Sequence, residues 1–147
     1  PQQPDPPEQL DRLSWLVGEW KGTAEIVSPS PEEMREHMPE GADMEMPSSY
    51  AGGSTYERTL DGMYIKGTSW HEMGPNQIVR MVEYITWERG EKKFRSWYFS
   101  DWGGWGESSM ELSPDGKTVE FEYEGTNAQG QHEAGHGTWT VKNGTID

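Results

Sequence analysis

The chain contains no cysteine, which excludes disulfides, thiolate metal sites and thiol nucleophiles. It has no apolar run near the roughly 20 residues that a membrane-spanning helix needs. Positive charge is scarce: 12 Lys and Arg face 26 Asp and Glu, a formal net charge of −14 at pH 7. That balance repels phosphate backbones and anionic membrane surfaces, so neither nucleic acid nor membrane is an expected partner. Hydrophobic residues fill only 31% of the 147 positions. What is there instead is aromatic: eight Trp, six Tyr and three Phe. Each ring buries a large area, so one domain with a small core of bulky rings fits the length and composition.

Turn chemistry divides the chain. Residues 1–7, "PQQPDPP", read as a disordered tail, and residues 8–147 as one domain. The chain begins without Met, so removal of a signal peptide, and with it a periplasmic or secreted location, is an expectation. Asp5, Pro6 and Glu8 have the spacing of a helix start. Leu10, Leu13, Leu16 and Val17 would then form its apolar stripe, and Gly18 its end. In "WKGTAEIV" the residues Trp20, Gly22, Ala24 and Ile26 alternate with Lys21, Thr23 and Glu25, as one buried and one wet face require. Asp61-Gly62, Pro114-Asp115-Gly116 and Asn143-Gly144 are hairpin signals, and Gly74-Pro75-Asn76, Arg89-Gly90 and Asn127 to Gly130 supply further breaks. In "VEFEYEG", Val119, Phe121 and Tyr123 alternate with Glu120, Glu122 and Glu124. Strands joined by short turns predict an all-β, antiparallel up-and-down barrel of about 8–10 strands with a short N-terminal helix. Because the chain stops just after Asn143-Gly144, the closing strand is short or further strands follow.

Residues 28–47 break this rhythm. Ser30 and Glu33 form a capping box with Pro31 at the first helical position. Met34, Met38, Met44 and Met46 make the segment a candidate lid over the barrel mouth, against the plainer role of shielding the barrel side.

"SWLVGEWKGTAE", the Asp61-Gly62 hairpin, "WYFSDWG" and "PDGKTVEF" follow one another in an order that resembles an uncharacterised bacterial family of lipocalin-like, calycin-type β-barrels, a domain of unknown function. The resemblance runs from about Leu10 over most of the chain. It implies a calycin-type fold and, by analogy, binding of a small molecule inside the barrel. Small haem-binding barrels of nitrobindin type also open with Gly-x-Trp-x-Gly and place a His late in the chain. "GTAEIV" departs from the Gly-rich Tyr-Pro-Thr stretch that follows there.

His132-Glu133-Ala134-Gly135-His136 spells the HExxH of zinc proteases. That chemistry needs both His on one helical face, whereas glycines and "TWTV" around the motif read as strand. Four residues along a strand separate two side chains by about 13 Å, too far to share one ion. No metal site is therefore expected, and no cofactor. Alternation puts His132 and His136 opposite Trp139 and Val141, on the outside.

The candidate ligand-binding residues are Ser69, His71, Arg80, Tyr84, Tyr98, Trp102 and Trp105. In "MYIKGTSWHEM", Ile65, Gly67, Ser69, His71 and Met73 share one face, which would put two polar groups inside the cavity. On the next strand Arg80, Val82 and Tyr84 oppose Met81, Glu83 and Ile85, so either Arg80 or Glu83 projects inward. In "FRSWYFSDWGGW", Phe94, Ser96, Tyr98, Ser100 and Trp102 share a face. Aromatics at a strand end beside Gly103-Gly104 suit the rim of a cavity, with a sugar-stacking platform as the runner-up. The expected function is binding of a small hydrophobic or aromatic molecule. The alternatives are a barrel enzyme of isomerase or cyclase type working through His71, Glu83 or Arg80, and a haem-binding barrel of nitrobindin type. No nucleophile constellation or phosphate loop supports an enzyme.

Overall fold

The computed structural model describes residues 4–25, 49–74, 76–142 and 145–146. The Met-rich segment at 28–47 and the Asn143-Gly144 turn lie outside the described residues.

The N-terminal helix forms over Glu8–Leu16, but it is a 3-10 helix. Three residues per turn place Leu10, Leu13 and Leu16 in one line, and all three are buried. Val17, expected in the stripe, lies past the helix end and is 41% exposed. The expected cap at Asp5 does not form. Pro7 holds the N-cap position without a side-chain bond, and its carbonyl accepts the Leu10 N–H at 3.0 Å. The segment read as a tail is docked from Asp5 onward, because Arg89 Nη2 donates to the Asp5 carbonyl at 2.6 Å and Pro7 is buried.

Among the described residues eight long strands follow: β1 Gly18–Glu25, β2 Ser49–Thr59, β3 Tyr64–Gly74, β4 Gln77–Glu88, β5 Lys93–Ser100, β6 Trp105–Leu112, β7 Thr118–Thr126 and β8 His132–Lys142. A two-residue β9, Thr145–Ile146, pairs back on Val141 and Lys142. Each strand lies antiparallel to its neighbours in chain order. The meander is as the turn spacing predicts. The fold is all-β and barrel-like: among the described residues the sheet curls into a half-barrel in which β1 pairs with β2 alone. Turn spacing sets the order of strands, whereas closure depends on tilt and stagger accumulated across the sheet.

Several turns are locked by their own side chains. Asn127 Oδ1 accepts the N–H groups of Gln129 and Gln131, each at 3.0 Å. Asp115 Oδ1 accepts the Ser113 hydroxyl at 2.6 Å and the Lys117 N–H at 3.1 Å. Short polar side chains that bond two residues onward are the reason Asn and Asp mark such sites.

The core occupies one end of the half-barrel. Leu10, Leu13 and Leu16 pack with Ile65, Ile85, Phe94, Met110 and Val119. Around them Trp87 meets Phe94 edge-on at 4.9 Å and Phe121 meets Trp139 at 5.1 Å. Each fully buried aliphatic side chain contributes about 1.5–3 kcal/mol. The helix thus plugs one end, and among the described residues the space above the plug is open.

Candidate functional site

Above the core the concave face encloses a cavity of about 870 Å³. Among the described residues six aromatic side chains face it: Trp20, Tyr56, Tyr98, Phe121, Tyr123 and Trp139. Trp20 reaches it from β1, and its indole Nε1–H donates to the Leu16 carbonyl at 2.8 Å, tying strand to helix.

The cross-strand register organises the wall. One continuous row runs Tyr56, Gly67, Glu83, Tyr98, Gly106, Gly125, Glu133, each residue paired with the next across β2 to β8. Tyrosine, glycine and glutamate recur along it. A methyl group at Gly67 would run into the Tyr56 ring, and one at Gly106 or Gly125 into the Tyr98 hydroxyl. The tyrosines therefore lie along the sheet, over glycines that leave them room. Each points toward an acid. The Tyr56 hydroxyl donates to Glu83, and Tyr98 feels the charge of Glu133.

Glu83 also takes a hydrogen bond from Ser96. Ser96, fully buried, shares a 2.7 Å bond with Ser108 in the row beneath. Burial pushes the Glu83 carboxyl above the usual carboxylate range, and the bonds from Ser96 and Tyr56 offset this in part. Burial, then the neighbouring Glu83 charge, raises the Tyr56 hydroxyl well above its ordinary value. Tyr98 is raised by burial and by Glu133 and Tyr123. Burial lowers His71, which favours the neutral ring. Such a cluster at the base of an apolar cavity can orient a ligand or hold a proton beside it.

Ser69, His71 and Tyr98 line this cavity. Arg80 does not; between the two residues left open on β4, Glu83 is the one that faces in. Arg80 is on the outer side, where its N–H donates to Asp101 Oδ1 at 2.9 Å and the Asp101 N–H donates to its carbonyl at 2.9 Å. That exchange fixes the turn after β5. Arg80 and Trp70 contribute to a second groove of about 850 Å³, which shares Trp20, Lys21, Ser54, Ser69 and Met81 with the concave cavity. Tyr84 is half-buried on the outer face, paired between Lys66 and Trp97. Trp102 and Trp105 are 47% and 53% exposed and are not among the residues lining the concave cavity. Trp105 pairs with Phe99, whose side chain is on the outer face, and so shares that face.

His132 and His136 are exposed on β8, paired with Thr126 and Glu122. They face away from the cavity, so the arrangement does not fit a haem ligated by a late histidine. Among the described residues no group of three or more His, Asp or Glu is placed to hold a metal ion.

Sequence reading left out Tyr56, Tyr123, Glu133 and Trp139. Glu133 follows from parity: once His132 and His136 are assigned outside, the residue between them faces in. Tyr56 carries no such signal, because its partner Gly67 is eleven positions away and the two meet through register alone. No family model matches the chain, and no curated protein matches it.

Proposed function

We propose that the protein binds a small, largely apolar or aromatic molecule in the concave cavity. The observation that carries this reading is a cavity of about 870 Å³ walled, among the described residues, by six aromatic rings, with Glu83 and Tyr56 set into it and Ser96 bonded to Glu83 from beneath. Lining that is mostly apolar with a few convergent polar groups is the usual make-up of a small-molecule site. The sequence resemblance to lipocalin-like barrels supports the same reading. Nile red, a neutral dye, is the probe. Its emission should rise on saturable binding, and its quenching of tryptophan should weaken in Trp139→Phe but not in Trp105→Phe. Equal loss in both variants, or no saturable signal, rules the reading out.

Glu83, half-buried in the cavity wall, also favours a second reading, an isomerase or cyclase in which this carboxyl gives or takes a proton. A carboxyl whose proton is held more tightly by burial can give that proton to a substrate or take one from it. Ligand recovered unchanged by mass and by chiral chromatography from long incubation supports the binder. Conversion that disappears in Glu83→Gln supports the enzyme.

A further inference from the structure

We propose that the ligand is an organic cation, a protonated amine on a flat apolar body, with its ammonium group received at Glu83 and its body against Tyr98 and Tyr123. This rests on the reading of the concave cavity as a ligand site and adds the charge of its occupant.

Two features of the wall point there. The first is the sign of its charges. Glu83 and Glu133 stand on one row of the sheet and both line the cavity. The basic groups of the lining are Lys21, exposed on β1, and His71, held toward its neutral form. Arg58, on the neighbouring stretch of β2, turns to Asp11 at 2.6 Å and does not line the cavity. Arg95 is engaged by Glu88 at 2.9 Å and Glu91 at 3.3 Å on the outer face. An anionic ligand would therefore meet two carboxylates and no arginine among the described residues. A carboxylate has about four acceptor positions, and Tyr56 and Ser96 use two at Glu83. The remaining positions suit a charge-assisted bond from an ammonium group.

The second feature is the aromatic surface. A cation over the face of Tyr or Trp within about 6 Å is attracted by the ring quadrupole, and more strongly where water is excluded. The glycines at 67, 106 and 125 let the tyrosines lie flat along the wall beside the acids. An alkyl-only ligand would need neither the acids nor the tyrosine faces. Placing a carboxyl within an apolar wall is costly, and a cation offsets that cost in a way a neutral molecule does not. The surrounding net charge of −14 further concentrates cations near the mouth.

Isothermal titration at pH 8 with three probes of one shape tests this: 2-phenylethylamine as cation, 2-phenylethanol as neutral molecule and 3-phenylpropanoate as anion. The amine should bind about tenfold more tightly than the alcohol, and the anion most weakly. Glu83→Gln should reduce the amine to the affinity of the alcohol while leaving the alcohol nearly unchanged. Glu133→Gln, at an exposed position where folding is not at stake, should weaken the amine alone by a smaller factor. An alcohol that matches the amine, or an amine preference that survives both variants, overturns the proposal. If Nile red binds and the amine shows no preference, the cavity remains a ligand site and its cationic occupant is wrong. If neither Nile red nor any of the three binds, both readings fall together.

Discussion

Glu83 brings opposing demands together in one side chain. Its partners Tyr56 and Ser96 favour the carboxylate, while burial favours the acid and prevails. Because its proton is held more tightly in the folded state than in the unfolded one, the folded chain binds more protons wherever the two differ. Stability from this group is thus intact below the ordinary carboxyl range and falls as pH rises from there through the raised folded value. Glu83→Gln should flatten that fall. At pH 8 the variant should melt roughly 2–5 °C higher, equivalent to about 1 kcal/mol, and at pH 4 it should match the parent. Thermal unfolding followed by circular dichroism across that range reads the difference, and a variant less stable at pH 8 would contradict it. His71 acts with opposite sign, since its lowered value loses stability as pH falls through the histidine range. Tyr56→Phe removes one donor from Glu83 and should cost about 1 kcal/mol.

Among the elements, the N-terminal helix and the glycine-spaced strands carry the most specific consequences. A 3-10 repeat buries every third residue, so Leu13→Ala should cost about 2–5 kcal/mol, whereas Val17→Ala should stay within about 0.5 kcal/mol. An α-helix would have made Val17 part of the buried stripe, and a large Val17→Ala effect would restore that geometry. Chemical denaturation of the two variants decides it. In the sheet, Gly67→Ala drives a methyl group into the Tyr56 ring and should cost about 1–3 kcal/mol by overpacking. Gly90→Ala, with nothing near its added carbon, should change stability by less than about 0.5 kcal/mol. Near-ultraviolet circular dichroism should change for the first and not the second, since the first displaces a tyrosine.

For the whole molecule, the half-barrel has a helix-plugged, apolar end and an open, aromatic one. An occupant of the open end binds the folded state alone, so a bound ligand at one hundred times its dissociation constant should add about 2.7 kcal/mol. That corresponds to a rise of roughly 5–12 °C in melting temperature, which differential scanning fluorimetry with 2-phenylethylamine measures. No rise at saturating amine would set aside the cationic ligand. Alternating residues and Gly, Asn and Asp turns determined the class of fold, the strand order and which face of β7 is buried. Those are local matters, settled by the two-residue period of a strand and by turns that few residues can make. The helix was legible as an element but not as 3-10, because leucines at a spacing of three satisfy both geometries until packing selects one. The inward choice of Glu83 over Arg80 waited on the fold, since both parities on β4 offered polar and apolar members. Trp102 and Trp105 looked like cavity rim by composition, yet the direction in which a glycine turn throws its rings depends on the strands it joins. The row from Tyr56 to Glu133, and with it the pairing of each tyrosine with an acid, arose from register across seven strands. Register couples residues tens of positions apart through backbone hydrogen bonds and packing, and no stretch of sequence short enough to read as a motif contains it.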